Sequence, residues 1–446
     1  MSAAETAPAP VAGPRFRDIF AFWLPVALSG QLITLSQPVI NAGIGRAPDR
    51  DVALPAYLLA LHFVVLTQAV VLPGLNVATA LVRDKRSLAA VRRVLLSLGF
   101  VSAAVDVLFA LTPLGPWLFR DVMGQRDPRI IEGACTAVLW LAPSGIGVAA
   151  RGALQGAALA RRSSGRLAAA TLLRLGVIFA CACVGSQALG LRGEVAGALA
   201  VSVGVWTETA ALWWQARRTT GGGDVLPDVA SGPRVDAGLV LRFAAPLIFG
   251  HFAWTLQRPL INAALGSLPD REAAVAAFGV LHSITLFASA PLWAFQSTAI
   301  VFGGTKAGLL AVARFATLVS IGVAAVTAAA IEIGGSERLL VVLFDLDGRT
   351  LMLAAGAFLF VALDPLVHGL RSVASGVLIG ARRTLASGLA SCVKVLATFV
   401  VGFIATKTAH APENGAAYGM GLYVAGTALD FLALGLAAHI LARPRA

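Results

Sequence analysis

Three arginines stand inside otherwise apolar runs of this chain: Arg151, Arg258 and Arg371. Arginine keeps its proton at any physiological pH, and its planar fork matches the oxygens of carboxylates and phosphates. Two of the three sit in polar bands at helical spacing. His251, Thr255, Arg258 and Asn262 lie four, three and four residues apart and so share a helix face, as do Asp364, His368, Arg371 and Ser375. Similar bands run through Gln31, Thr34, Gln37 and Asn41, and through His282, Thr285, Ser289, Trp293 and Gln296. Another holds Ser387, Ser391, Lys394 and Thr398. A charge inside a membrane costs several kcal/mol unless it faces water, a ligand or a partner. The chemistry expected here is anion binding in a positively charged cavity. Arg258, Arg371 and Arg151 would attract the anion and Asn41 and Asn262 would hydrogen-bond it, with Trp293, His251 and His368 completing the site. Buried ion pairing of the arginines is the competing reading.

Depth brings in further charges. Arg151 lies ten residues before Arg161, hence roughly 15 Å inside the end of its helix, and Arg371 stands similarly before Arg382. Arg174 and Lys394 occupy matching places in the two halves of the chain, as do Glu208 and Asp430. That predicts the pairs Arg174–Glu208 and Lys394–Asp430, serving either neutralisation or coupling. Asp364, seven residues before Arg371, is the nearest acid on that band. Pro38 and Pro259 cannot donate to the carbonyls of Thr34 and Thr255, so both helices are expected to kink there, as hinges or as static packing features. The histidines show no metal-ligand spacing, and no metal or cofactor is expected. No Gly-rich loop with Lys-Ser/Thr and no nucleophile elbow is present, which argues against an ATP-driven pump and against an enzyme.

The elements that must carry these residues follow from composition. Of 446 residues 58% are hydrophobic and only 13% charged, with mean hydropathy +0.81. Such a chain is a polytopic membrane protein in contact with the lipid bilayer. Twelve spans are expected to begin near Phe16, Asp51, Val91, Arg129, Ser164, Gly193, Gly238, Asp270, Gly308, Gly348, Thr384 and Ala416. The runs lack the alternation of a β-barrel. The net charge of +12 sits at the ends of the runs, so topology explains it and no nucleic acid is implied. Loops after the even-numbered spans hold the basic clusters, which places both termini in the cytosol. The start, MSAAETAPAPVAGP, lacks the basic and apolar regions of a signal peptide. Four cysteines suggest packing only, and a monomer is expected.

An internal repeat organises the spans. At an offset of 221 residues Pro25 falls on Pro246, Thr34 on Thr255, Pro38 on Pro259, Asn41 on Asn262 and Gly45 on Gly266. Six helices per repeat is an even number, so both copies insert with the same orientation. The expected fold is an all-α polytopic membrane protein of twelve transmembrane helices in two parallel six-helix repeats. Its parts are a disordered tail at 1–14, a bundle at 15–217, a cytosolic linker at 218–236 and a second bundle at 237–446.

Several stretches resemble the progressive ankylosis family, within the MATE-like multidrug/oligosaccharidyl-lipid/polysaccharide exporter superfamily. They are QRPLIN from Gln257, LNVATALVRDKRSLAAV from Leu75, Trp293 within PLWAFQS, and GLRSVASGVLIGARRTLASGLASCVKVL from Gly369. The resemblance implies a V-shaped bundle around a central cavity, and export of organic anions such as citrate and ATP, the latter feeding extracellular pyrophosphate. Drug-extruding relatives typically carry an acid in the first helix, where the membrane part in this chain offers only Gln31, Thr34, Gln37 and Asn41, so cation antiport is in doubt. A lipid-linked oligosaccharide flippase also needs a basic cavity and is the main rival. A non-transporting regulator or scaffold is a further alternative. The Ala/Arg-rich composition and short loops look bacterial, which places the chain in an inner membrane.

Overall fold

The structure, a computed structural model, describes residues 13–441 except 188–189, 219–225, 229–233, 269, 334 and 408–411. The expected tail and most of the expected linker lie outside the described residues. Among those described, every regular element is a helix. The first half of the chain forms α1 (Phe16–Ile44), α2 (Arg50–Thr67), α3 (Gly74–Leu81), α4 (Lys85–Leu111), α5 (Leu114–Trp117), α6 (Pro128–Ala160), α7 (Gly165–Gln187) and α8 (Gly193–Arg218). The second forms α9 (Ala237–Leu265), α10 (Arg271–Phe302), α11 (Lys306–Glu332), α12 (Gly335–Phe344), α13 (Gly348–Ala357), α14 (Leu359–Gly380), α15 (Thr384–Lys407) and α16 (Gly415–Leu441). Among the described residues eleven helical spans are long and apolar enough to cross a membrane, with α2 and α3 counted as one. The bent pair α13–α14 makes a twelfth. The chain is an integral membrane protein.

Helix starts follow local chemistry. Asp84 accepts from the Ser87 backbone N–H at 2.6 Å, Asp236 from that of Leu239 at 2.8 Å, and Thr305 from that of Gly308 at 3.1 Å. Each side chain satisfies an amide that the first helical turn leaves open. Beside the first of these caps, Lys85 Nζ reaches Asp228 Oδ1 at 2.8 Å, and its backbone N–H reaches Pro227 O at 3.0 Å. The described piece of the linker is thereby tied to the start of α4. The Lys85 ammonium holds the exposed Asp228 carboxyl below the usual carboxylate range.

The repeat is visible in the helix bounds. α1 and α9 differ by 221 residues at both ends, as do α4 and α11. The copies differ in their second spans. α10 is continuous through Pro291, whereas the first copy breaks into α2, a 3-10 turn at Gln68–Val70, and α3. Pro73 stands at that break and has no N–H to continue the ladder. In the second half α13 and α14 meet at a 41° bend, where the backbone tightens to the bond Phe358 N–H to Ala355 O, 3.2 Å. The short helices α5 and α12 were not expected from the apolar pattern.

Two glycines let spans two and four approach closely in both copies. A methyl group at Gly156 would fall on the Ala78 methyl and the Leu75 carbonyl oxygen, and one at Gly376 would fall on the Gln296 carbonyl oxygen. Backbone on the receiving side leaves no cheap relief. Gly156→Ala is therefore expected to lose about 1–3 kcal/mol by overpacking. Gly322→Ala, where nothing lies within 4 Å, should be neutral or stabilising by up to about 1 kcal/mol. Thermal unfolding of the two variants in detergent checks the contrast.

The aromatic contacts between the halves gather at one end. At the end where α1, α4, α9 and α11 begin, Trp23 stacks on Phe295 with ring centroids 5.3 Å apart, and Phe16 meets Phe315 edge-on at 4.9 Å. Phe22 meets Phe302 at 5.3 Å. On the symmetry-related side Phe243 and Leu247 of α9 pack into a core with Val77, Val91 and Leu95. The other three buried clusters each lie within one half. Ile40 and Ile44 pack with Tyr57, Ile178 and Ala182, while Ile261 and Leu265 pack with Phe278, Leu281 and Met420. The arginine-rich end is thus sealed by aromatic contacts between halves, and the buried cores at the opposite end do not bridge them.

Candidate functional site

A cavity of about 310 Å³ opens between α9, α10, α14 and α15 of the second half, with Leu72, at the break of span two, contributed by the first. It is lined by His251, Trp254, Trp293, Gln296, His368, Arg371, Ser375, Ser387 and Ser391, among others. Its polar side is linked through hydrogen bonds. Gln296 Nε2 donates to Ser375 Oγ at 2.9 Å, and the Ser375 and Ser387 hydroxyls are 3.3 Å apart. Across the halves Asn76 Nδ2 donates to Gln296 Oε1 at 3.1 Å.

Arg371 is held from one side. Its Nε donates to Asp430 Oδ2 at 2.6 Å, and the Asp430 side chain is fully buried while that of Arg371 is 20% exposed. Among the described residues no other partner takes the guanidinium's remaining N–H groups. The acid fixes the plane of the fork and leaves its outer donors for the cavity. On the same helix Asp364 is fully buried; its Oδ2 accepts from Ser289 Oγ at 2.7 Å and lies 3.4 Å from His368 Nδ1.

The first half holds a denser version of this arrangement. Glu208 Oε2 accepts from Arg151 Nη1 at 3.0 Å and Arg174 Nη1 at 3.2 Å. Its Oε1 accepts from Gln155 Nε2 at 3.1 Å and Thr171 Oγ1 at 2.8 Å. Four donors converge on one buried carboxylate. The second half repeats the plan with Arg371, Lys394 and Asp430 on α14, α15 and α16, but the aspartate is one methylene shorter and reaches only Arg371. Lys394, 3% exposed, has no carboxylate within 4 Å among the described residues. Its stem lies 3.5 Å from a methyl placed at Gly426, one turn before Asp430.

No family model matches the chain, and no curated protein matches it by sequence. Solved structures do. A eukaryotic MATE transporter, AtDTX14, is 14% identical with a TM-score of 0.73, covering 95% of both chains. A MATE family multidrug resistance transporter in an outward-facing conformation is 15% identical at a TM-score of 0.74, covering 96% of this chain and 97% of that one. A MOP superfamily transporter from Pyrococcus furiosus, described as having a binding pocket of reverse polarity that suggests a different function, is 16% identical. Its TM-score is also 0.74, over 95% of both chains. The fold is that of the MATE transporters. Identities this low establish the shared architecture and nothing about substrate.

Within this MATE fold the expected site residues separate into groups. His251, Trp293, His368 and Arg371 line one cavity. Arg151, expected beside them, belongs instead to the Glu208 cluster in the other half, because that acid lies within reach across α6 and α8. Arg174 meets Glu208 as spaced. The expected Lys394–Asp430 pair is replaced by Arg371–Asp430, since the fork of Arg371 is nearer than the ammonium. Asp364 turns to Ser289 and His368 rather than to Arg371. Arg258 is half-buried beside Gly279 of α10, away from the cavity lining and without an ion pair among the described residues. Asn41 and Asn262 lie near the ends of α1 and α9, each with a buried Oδ1 lacking a partner.

α1 and α9 run unbroken through Pro38 and Pro259. In both, the threonine four residues earlier bonds one turn back, Thr34 Oγ1 to Gln31 O and Thr255 Oγ1 to Phe252 O, each at 2.8 Å. Sequence reasoning missed Trp254, whose position one residue before Thr255 puts it off the polar band. It also missed Asn76 and Gln155, amides that read as ordinary polar residues until a partner from a distant span is brought to them.

Proposed function

We propose that the protein is a secondary transporter that carries small organic or phosphorylated anions by alternating access of two halves, residues 15–217 and 237–446. The observation that carries this reading is Arg371. A buried acid holds its Nε, while its outer N–H groups line a cavity with two histidines, a glutamine and four serines. A guanidinium pinned on one edge is pre-organised to receive two oxygens on the other, so little is lost on binding. The reverse pocket polarity described for the P. furiosus relative supports a departure from cation extrusion on this fold. Citrate, ATP and pyrophosphate are the first substrates to try, as the resemblance to the progressive ankylosis family suggests.

By the positive-inside rule the basic clusters favour a cytosolic side for the sealed end, in what the composition suggests is a bacterial inner membrane. The aromatic contacts around Trp23 and Phe295 then close the inner gate, and the cavity faces outward. An outward-facing conformation is described for a MATE family relative of this fold. Release of those contacts, with bending at Pro38 and Pro259, would give the opposite state.

Counterflow in proteoliposomes tests the reading without assuming a coupling ion. Vesicles preloaded with unlabelled citrate, ATP or pyrophosphate should accumulate the labelled anion, and an organic cation such as ethidium should not compete. No exchange of any of the three, or inhibition by ethidium alone, would overturn the anion assignment.

A further inference from the structure

The buried acid Asp106 takes no part in the cavity or in the arginine clusters. Asp106 on α4 is 0% exposed, and its Oδ2 has no hydrogen-bond partner among the described residues. Its Oδ1 lies 2.7 Å from Thr67 Oγ1, and that same hydroxyl lies 2.9 Å from Val64 O. A threonine hydroxyl has one hydrogen and cannot donate to both oxygens. If Asp106 were ionised, Thr67 would have to abandon Val64, and the carboxylate would keep a single hydrogen bond inside the membrane. With a proton on Oδ1, Asp106 donates to Thr67 and Thr67 donates to Val64, so each contact has its hydrogen.

Among the described residues no charge on the packed elements offers the ionised form an alternative. α2 presents Thr67, and its His62 is bonded to Leu58 O at 2.7 Å. The 3-10 turn presents Gln68, which donates to Ser144 Oγ of α6 at 2.7 Å. Also on α6, Gly145 lies against Ser102, one turn before Asp106, and Cys135 packs near Gly115 of α5. Arg151 of α6 is engaged by Glu208. On α9, Arg242 is exposed, His251 lines the cavity and Arg258 lies by Gly279. α3 carries no titratable group, and Lys85, Arg92 and Arg93 of α4 lie toward its opposite end.

The place of this acid gives it a consequence. Thr67 is the last residue of α2, directly before the turn at Gln68–Val70 that breaks span two. The repeat-related span α10 is unbroken, and the repeat-related position to Asp106 is Thr327, which bonds its own helix at Val323 O. Thr67 is itself only partly buried, which leaves Asp106 one hydroxyl from the surface of the bundle.

We propose that Asp106 is a proton-binding site that couples the break in span two to the proton gradient. Loading the proton completes the Asp106–Thr67–Val64 chain and steadies the end of α2. Releasing it to water draws the Thr67 hydroxyl onto the carboxylate and frees the Val64 carbonyl at the break. The coupling role rests on the transport reading above, whereas the protonated acid stands without it.

Infrared titration of the substrate-free protein in liposomes reads the acid directly. A protonated carboxyl band should be present in the wild type at neutral pH, absent from Asp106→Asn, and shifted to higher frequency in Thr67→Val, where the acid loses its acceptor. Identical carboxyl bands in wild type and Asp106→Asn would overturn the site. In transport, Asp106→Asn should lose accumulation driven by a pH gradient while counterflow exchange persists. Undiminished gradient-driven accumulation in Asp106→Asn would overturn the coupling. Absence of counterflow in the wild type would instead overturn the transport reading and leave the infrared result to decide the acid.

Discussion

Glu208→Gln is expected to be among the most destabilising conservative substitutions in this protein, by about 3–5 kcal/mol. The side chain keeps its volume, so packing is not the cause. The carboxylate holds Arg151 and Arg174 together at 3.0 and 3.2 Å, and both guanidiniums stay charged when it is neutralised. Two like charges would then face each other in a membrane interior, with side chains only 14% and 8% exposed. Asp430→Asn should cost clearly less. Arg371 is more exposed and borders a cavity, so its released fork can turn toward water. Unfolding of both variants in detergent, with recovery of folded protein from membranes, measures the difference. Equal losses would mean that the two clusters are equally sealed.

Arg371→Gln is expected to weaken anion binding and transport more than it weakens the fold. Removing a charged hydrogen-bonding partner from a bound anion costs about 1.5–3 kcal/mol, or roughly 10- to 150-fold in affinity. Asp430 is left unpaired by this change, but Lys394 stands beside Gly426, one turn away, with no carboxylate of its own. Its flexible stem allows it to take over the acid. Lys394→Met should therefore do little alone and should make Arg371→Gln sharply destabilising, a non-additive result that a double-mutant cycle would read. Affinity unchanged in Arg371→Gln would remove this residue from the site. An additive double mutant would show that Lys394 does not substitute.

Much of the architecture was legible without coordinates. Apolar runs of membrane length, basic loop clusters and an offset of 221 residues are local or periodic signals that a bilayer imposes on any chain crossing it. The helix bounds follow them closely, from Phe16 and Gly193 to Thr384. Breaks were less legible. Pro73 interrupts span two while Pro25, Pro38, Pro246 and Pro259 stay within continuous helices, because surrounding contacts decide whether a freed carbonyl opens a helix or merely bends it.

Partner choice among the buried charges was the least legible feature. Spacing identified that Arg151, Arg174, Glu208, Arg371, Lys394 and Asp430 lie at matching depths, since depth follows from residue count along a helix. Which base meets which acid depends on helix rotation and on a single methylene of side-chain length, and neither is written in spacing. Asp106 shows the same limit. A lone acid in the run from Val91 to Leu111 is plain in the sequence, but its meaning comes from Thr67, thirty-nine residues away. By itself the sequence determined the membrane class, the span count, the repeat and the depth of each charge, all properties of one helix or of its periodicity. Only the tertiary structure decided that Arg371 faces a cavity, that Arg151 does not, and that Asp106 meets the Thr67 hydroxyl at the end of α2. Those outcomes require atoms of different spans to come within 3 Å, and only packing sets such distances.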